Sequence, residues 1–234
     1  VKHMLGLKCI HDIVVNAMEY LHIDVPVALH LDHGTSREAC EAAIAAGFSS
    51  IMFDGSHLPF RENLAITRHL VTLAHSKGIS VEAELGTIAG SEDGIVNSEV
   101  IYADPQECYT LVTETQVDCL AAALGSTHGL YKGKARLGFT EMKAIAEQVK
   151  VPLVLHGGTG IADEDMRRAI ACGTAKINVN TENMYAWCQQ VKAIFAADTG
   201  HDVNDPRKVI AQGLQPVREM IARRMALFGS EQRY

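Results

Sequence analysis

Val25-Pro-Val-Ala-Leu-His-Leu-Asp-His-Gly34 reads as a buried parallel strand with chemistry at its end. Pro26 suits only a strand's start or edge, and a near-continuous apolar run leads to Asp32 and His33. Two later segments run into a histidine in the same way. Val151-Pro-Leu-Val-Leu-His156-Gly-Gly repeats the pattern closely, and Cys119 to His128 repeats it loosely. In parallel α/β folds the C-terminal strand ends carry the chemistry. Three histidines at three strand ends, with a carboxylate beside the first, point to a metal site.

Working outward, the chain alternates strand and helix. An amphipathic helix is expected over residues 4 to 22, then the strand 25–31, and a helix from Thr35 or Ser36 to Gly47. A strand at 49–53 is followed by a helix over 60–77, and a strand at 79–85 carries Glu82 and Glu84. Residues 86–100 are polar and Gly-rich, a loop long enough to be functional. A helix opened by Asp104-Pro105 precedes strand 117–124, and one from Thr140 or Glu141 precedes strand 151–155. The helix 163–172, strand 175–179 and two more helices complete the chain.

Six strands alternating with helices fit a (β/α) barrel or a doubly wound sheet. No G-x-G-x-x-G follows a strand, so a dinucleotide fold loses ground. The expected fold is an α/β TIM barrel forming one domain over residues 1–234. A barrel has eight strands, so the first two βα units are expected to be absent, leaving an open gap.

Composition narrows the function classes. With 47% hydrophobic and 21% charged residues in 234, the chain supports one large domain with a full core. A formal net charge of −7 argues against nucleic acid or an anionic membrane surface as partner. The six cysteines are scattered without a C-x-x-C pair, as expected of reduced thiols. No secretory signal and no apolar run of ~20 residues is visible. A cytoplasmic enzyme is expected.

His33, His128 and His156 stand apart from the other eight histidines because each sits at a strand end beside glycines. Three imidazoles and one open position is the coordination of a catalytic zinc. Three separately satisfied histidines remain the alternative, and His30 is either a fourth ligand or a buried neighbour. Asp32 is expected to orient a ligand or transfer a proton. Asp54 and Glu84 end adjacent strands, where they can bind a second cation or form salt bridges within the mouth. Gly157-Gly158-Thr159-Gly160 before a helix resembles an anion cradle, with Asn178-Val-Asn-Thr181 ending the next strand. Lys176 leads into that strand and is expected to be solvated, which weighs against a Schiff-base mechanism.

The strings HLDHG, EAELG, GSTHGLYKG, VPLVLHGGTGI and KINVNTEN resemble those of class II, zinc-dependent fructose-bisphosphate aldolases and the related tagatose-bisphosphate aldolases. The resemblance implies cleavage of a phosphorylated ketose, with His33, His128 and His156 as zinc ligands and Asp32 as the catalytic acid/base. It makes Asp54 and Glu84 a second metal site, and Glu92, in Gly90-Ser-Glu-Asp-Gly94, a loop glutamate for proton exchange. Gly129, Gly157, Gly158, Thr159, Asn178, Val179, Asn180 and Thr181 match the dihydroxyacetone-phosphate site. Arg207 matches an arginine for the distal phosphate, reached across a dimer interface. A second divalent ion, a monovalent cation, and a homodimer or homotetramer belong to the same expectation. Competing readings are a barrel zinc hydrolase, which gives no reason for a phosphate cradle, and a non-catalytic accessory subunit, in which ligand loss would be expected.

Overall fold

A computed structural model describes residues 6–92, 95–97, 101–129, 135–198 and 203–231, with the backbone alone described at 89, 91, 92 and 95–97. Six parallel strands form one sheet: β1 (His30–Gly34), β2 (Ser50–Phe53), β3 (Ser80–Leu85), β6 (Cys119–Ala122), β8 (Leu153–Leu155) and β9 (Thr174–Ile177), in that spatial order. The intervening helices are α2 (Arg37–Ala46), α3 (Phe60–His75), α4 (Pro105–Thr115), α5 (Phe139–Val149) and α6 (Asp163–Ala171). The helix α1 (Leu7–Tyr20) precedes them, and α7 (Thr181–Ala197) and α8 (Pro206–Phe228) close the chain by packing on each other. Among the described residues no strand bridges β1 and β9, so the sheet is a half-barrel with the gap expected from the strand count.

Helix ends follow local chemistry. Ser36 accepts a hydrogen bond from the Ala39 amide at 3.1 Å to start α2, and Gly47, at φ 94°, ends it in a left-handed turn. Asp104 caps α4 through the Gln106 and Glu107 amides, with Pro105 in the first turn.

Strand parity then sorts the side chains. On β3, Val81, Ala83 and Leu85 join the main core shared with the helices. Ile51 and Phe53 of β2, Leu120 of β6, and Leu153 and Leu155 of β8 do likewise. Fully burying such side chains is worth about 1.5–3 kcal/mol each. The opposite face carries a second, smaller cluster of Met52, Ala121 and Val154. Glu82 and Glu84 share that inner face with them, as successive residues of a strand alternate.

Two expectations shift. The first strand begins at His30 rather than Val25, because pairing with β2 starts at His30↔Ser50. β1 is an edge strand, and Val25 and Val27 remain 40% and 46% exposed. The Gly-rich segment after β3 is not simply a loop. It forms an antiparallel hairpin of β4 (Ala89–Glu92) and β5 (Ile95–Asn97), and β4 pairs with β7 (Thr127–His128). Gly90, at φ 110°, allows this approach, since a Cβ there would lie 2.3 Å from the His128 carbonyl oxygen.

Candidate metal centre

His33, His128 and His156 converge at the C-terminal mouth of the half-barrel. Their ring centroids lie 5.1 Å (His33–His128), 4.6 Å (His33–His156) and 6.0 Å (His128–His156) apart. One ligand nitrogen from each lies within 4.8 Å of the others, near the span that a single ion can bridge.

Asp32 and His33 are adjacent in sequence, so strict alternation would send them to opposite faces. The backbone resolves this conflict. His33 takes a left-handed φ of 45°, and the register of β1 against β2 shifts between Leu31 and Gly34. The irregular turn brings both side chains to the mouth, at a cost of about 1–3 kcal/mol for a non-glycine residue in that region.

Carboxylates orient two of the imidazoles. His33 Nδ1 lies 2.9 Å from Asp54 Oδ2, so a proton there would leave Nε2 as the nitrogen able to bind a metal. His156 Nε2 lies 2.8 Å from Glu82 Oε1, so a proton there would leave Nδ1 as the nitrogen able to bind a metal. Burial would raise the Asp54 carboxyl, but hydrogen bonds with His33 and Ser56 outweigh it and hold it at about 2. Burial opposes ionisation of Glu82 too, and His156 and Lys176 hold it at about 2. Glu84 behaves differently. Burial, with Asp54, Glu82 and Asp32 nearby, raises its pKa well above the usual carboxylate range. Its Oε2 is buried without a hydrogen-bond partner among the described residues and lies 3.9 Å from His33 Nδ1. Orphaned buried acceptors are costly, and a cation is one way to satisfy this one. Three imidazoles, their orienting carboxylates and this acceptor fit a divalent metal.

Asp32 is accessible at the mouth, with its side chain 41% exposed. Asn178 Nδ2 donates to both its oxygens, at 3.0 and 3.2 Å, and stands 3.3 Å from His156 Nδ1. Lys176 departs from expectation. Instead of being solvated, its ammonium lies against Glu82 (2.5 Å) and His30 (3.2 Å). His30 also lies 2.8 Å from Ser50 Oγ through Nδ1, and burial followed by the Lys176 charge lowers its pKa to about 4. Both ring nitrogens of His30 thus have partners, Nδ1 with Ser50 and Nε2 with Lys176, and His30 is not among the three converging imidazoles.

The glycine loop also differs in detail. Gly158 donates its N–H to the Asn178 carbonyl (3.2 Å), and Gly160 donates to Glu182 Oε1 (2.9 Å). Glu182, in the first turn of α7, also takes Arg224 Nε at 2.8 Å. The helix after the loop, α6, opens with Asp163, Glu164 and Asp165, which repel an anion from its N-terminus. Asn180, the N-cap of α7, makes no side-chain capping bond. Thr159 is buried, while Gly129 and Val179 are partly exposed. Arg207 lies on the surface with its guanidinium paired to Asp205 at 3.0 Å. The side chain of Glu92 lies outside the described residues, and only its backbone, at the end of β4, is described.

Sequence reasoning missed Glu82, Lys176 and Glu182 as parts of the site. Glu82 had a signal: it is two residues from Glu84 on one strand and must share its face.

The family model described as "Fructose-bisphosphate aldolase class-II" matches residues 1–233. The fructose-bisphosphate aldolase of Geobacillus stearothermophilus is 52% identical over 98% of this chain and 79% of its own length. That of Staphylococcus aureus (strain Mu50) is 50% identical over 99% of this chain and 80% of its own. The crystal structure of the YdjI aldolase from Escherichia coli K12 superposes with a TM-score of 0.82 at 33% identity, covering 97% of this chain and 78% of that one. Helices long and apolar enough to cross a membrane are absent among the described residues. With the match running nearly from end to end and a three-histidine centre at the barrel mouth, this chain belongs to the class II fructose-bisphosphate aldolase family.

Proposed function

We propose that the chain reversibly cleaves fructose 1,6-bisphosphate to dihydroxyacetone phosphate and glyceraldehyde 3-phosphate, with zinc held by His33, His128 and His156. The observation that carries this reading is the convergence of three imidazoles from three strand ends beside an accessible aspartate. Zinc there supplies a Lewis acid for the charge that develops on a ketone oxygen. Asp32 takes the proton of the C4 hydroxyl as the carbon–carbon bond breaks and returns it in condensation. Asn178, donating to both Asp32 oxygens, holds the carboxylate in place for that transfer. Glu92 exchanges the proton at the ketose carbon. Its strand pairs with that of His128, which supports a position near the mouth.

The phosphate of the dihydroxyacetone half lies between Gly129, Gly157–Thr159 and Asn178–Thr181. A second divalent ion at Asp54 and Glu84 is supported by the buried Glu84 Oε2. A homodimer or homotetramer, in which Arg207 reaches the distal phosphate of a neighbouring copy, belongs to the same proposal; within this chain its exposed guanidinium pairs with Asp205.

Stripping the protein with a chelator is expected to abolish aldol cleavage, and stoichiometric zinc to restore it. Full activity in demonstrably metal-free protein would sink the reading. Gly158→Val tests the phosphate position. A Cβ at Gly158 would lie 2.9 Å from both the Asn178 carbonyl oxygen and Ile177 Cγ2, so the loop must move off the end of β9. Hydrogen bonds to charged groups contribute ~1.5–3 kcal/mol, so losing one is expected to raise KM by roughly 10–100-fold. Zinc content should stay the same. An unchanged KM would remove the loop from the phosphate site.

A further inference from the structure

Glu82 is wholly buried on β3, yet it meets side chains from both open edges of the sheet. Its Oε1 lies 2.8 Å from His156 Nε2 and its Oε2 lies 2.5 Å from Lys176 Nζ. Lys176 belongs to β9, the last strand, and its ammonium also stands 3.2 Å from Nε2 of His30 on β1, the first. His30 is fixed from its other nitrogen by Ser50 Oγ at 2.8 Å. A continuous polar chain thus runs Ser50–His30–Lys176–Glu82–His156 beneath the mouth. Where no strand joins β1 to β9 among the described residues, side chains do.

The donor chemistry fixes the direction of each bond. An ammonium has only protons to give, so Lys176 donates to the Glu82 carboxylate and to His30 Nε2. His30 then carries its proton on Nδ1, facing Ser50. With Lys176 on one oxygen, the other accepts from His156, whose proton must sit on Nε2. Nδ1 of His156 is left as the nitrogen with a lone pair, with Asn178 Nδ2 3.3 Å from it. The centroid of this ring lies 4.6 Å from that of His33 and 6.0 Å from that of His128. A buried carboxylate of this kind is tolerable only when its oxygens are matched by donors, and here both are.

We propose that Glu82 is a positioning residue of the metal centre: clamped by Lys176, it selects the His156 tautomer that presents Nδ1 to the metal. The inference rests on the reading of His156 as a ligand. It assigns Lys176, which the acid–base steps do not use, the work of holding Glu82 while tying β9 to β1.

The test uses full-length protein, stripped of metal and titrated with zinc against a chromogenic chelator. Removing the carboxylate partner of a metal-bound histidine typically costs 10–100-fold in affinity, and Glu82→Gln is expected to weaken zinc by about that factor. Lys176→Met, which keeps the carboxylate, is expected to weaken it by about tenfold, the low end of that range. Should Glu82→Gln not fold, Lys176→Met still tests the clamp. Long-range proton–nitrogen NMR of the metal-free wild type supplies a readout independent of both zinc and activity. His156 is expected to carry its proton on Nε2, and that tautomer should lose population in Glu82→Gln. Wild type that binds zinc while Glu82→Gln binds it equally well overturns this inference alone. An Nδ1-protonated His156 in the wild type also overturns it, and unaltered affinity in Lys176→Met overturns the clamp. Wild type that binds no zinc overturns the metal reading and this inference together.

Discussion

His156→Ala is expected to cost the protein both its zinc and its cleavage activity. The ring is 1% exposed at the end of β8, with its centroid 4.6 Å from that of His33. Removing it leaves two imidazoles, too few for a stable three-nitrogen centre. The loss of zinc affinity should exceed the roughly 10–100-fold typical of removing an orienting partner. A second cost falls on the fold. Glu82 Oε1 loses its donor inside the barrel, and an unsatisfied buried acceptor costs about 1–3 kcal/mol. Elemental analysis for zinc, an aldol-cleavage assay and a thermal melt on the same sample check all three. A variant that keeps one zinc per chain and wild-type activity would falsify the ligand assignment.

That centre was legible in the sequence because strand ends converge. Once His33, His128 and His156 were each placed at or just after a strand, a parallel barrel could only gather them at one mouth. What the sequence hid depends on contacts made after folding. Asp32 and His33 looked equally available, yet they face the same way only because His33 adopts φ 45° at a register shift, a feature no propensity reports. The hairpin after β3 was hidden for a similar reason. Glycine and polar residues disfavour strands in isolation, and β4 exists because Gly90 lets it lie against His128. Lys176 was misjudged because a lysine at a strand's start is cheapest in water. Its destination, the buried Glu82, lies 94 positions away and is fixed only by the curl of the sheet. The early start given to the first strand has the opposite origin: an apolar run signals burial, but an edge strand has a neighbour on one side only.

Asp32→Ala is expected to separate proton transfer from metal binding. Asp32 is not one of the three converging imidazoles. It is held by Asn178, whose amide donates to both carboxylate oxygens and stands 3.3 Å from His156 Nδ1. Its removal therefore leaves the ligand set intact, and zinc content should match the wild type. Its side chain is 41% exposed at the mouth, where a substrate hydroxyl can reach it. Deleting a positioned acid or base costs ~10²–10⁴-fold in rate, and kcat for cleavage should fall by that factor. Asp32→Asn sharpens the test. The amide is nearly the same shape and keeps an oxygen for Asn178, but it cannot take the C4 hydroxyl proton, so it should be as slow as the alanine variant. If Asp32→Asn instead kept most of the activity, the carboxylate would be an orienting group rather than a base. If Asp32→Ala lost its zinc and regained full cleavage on adding the metal back, the roles of Asp32 and the histidines would be reversed.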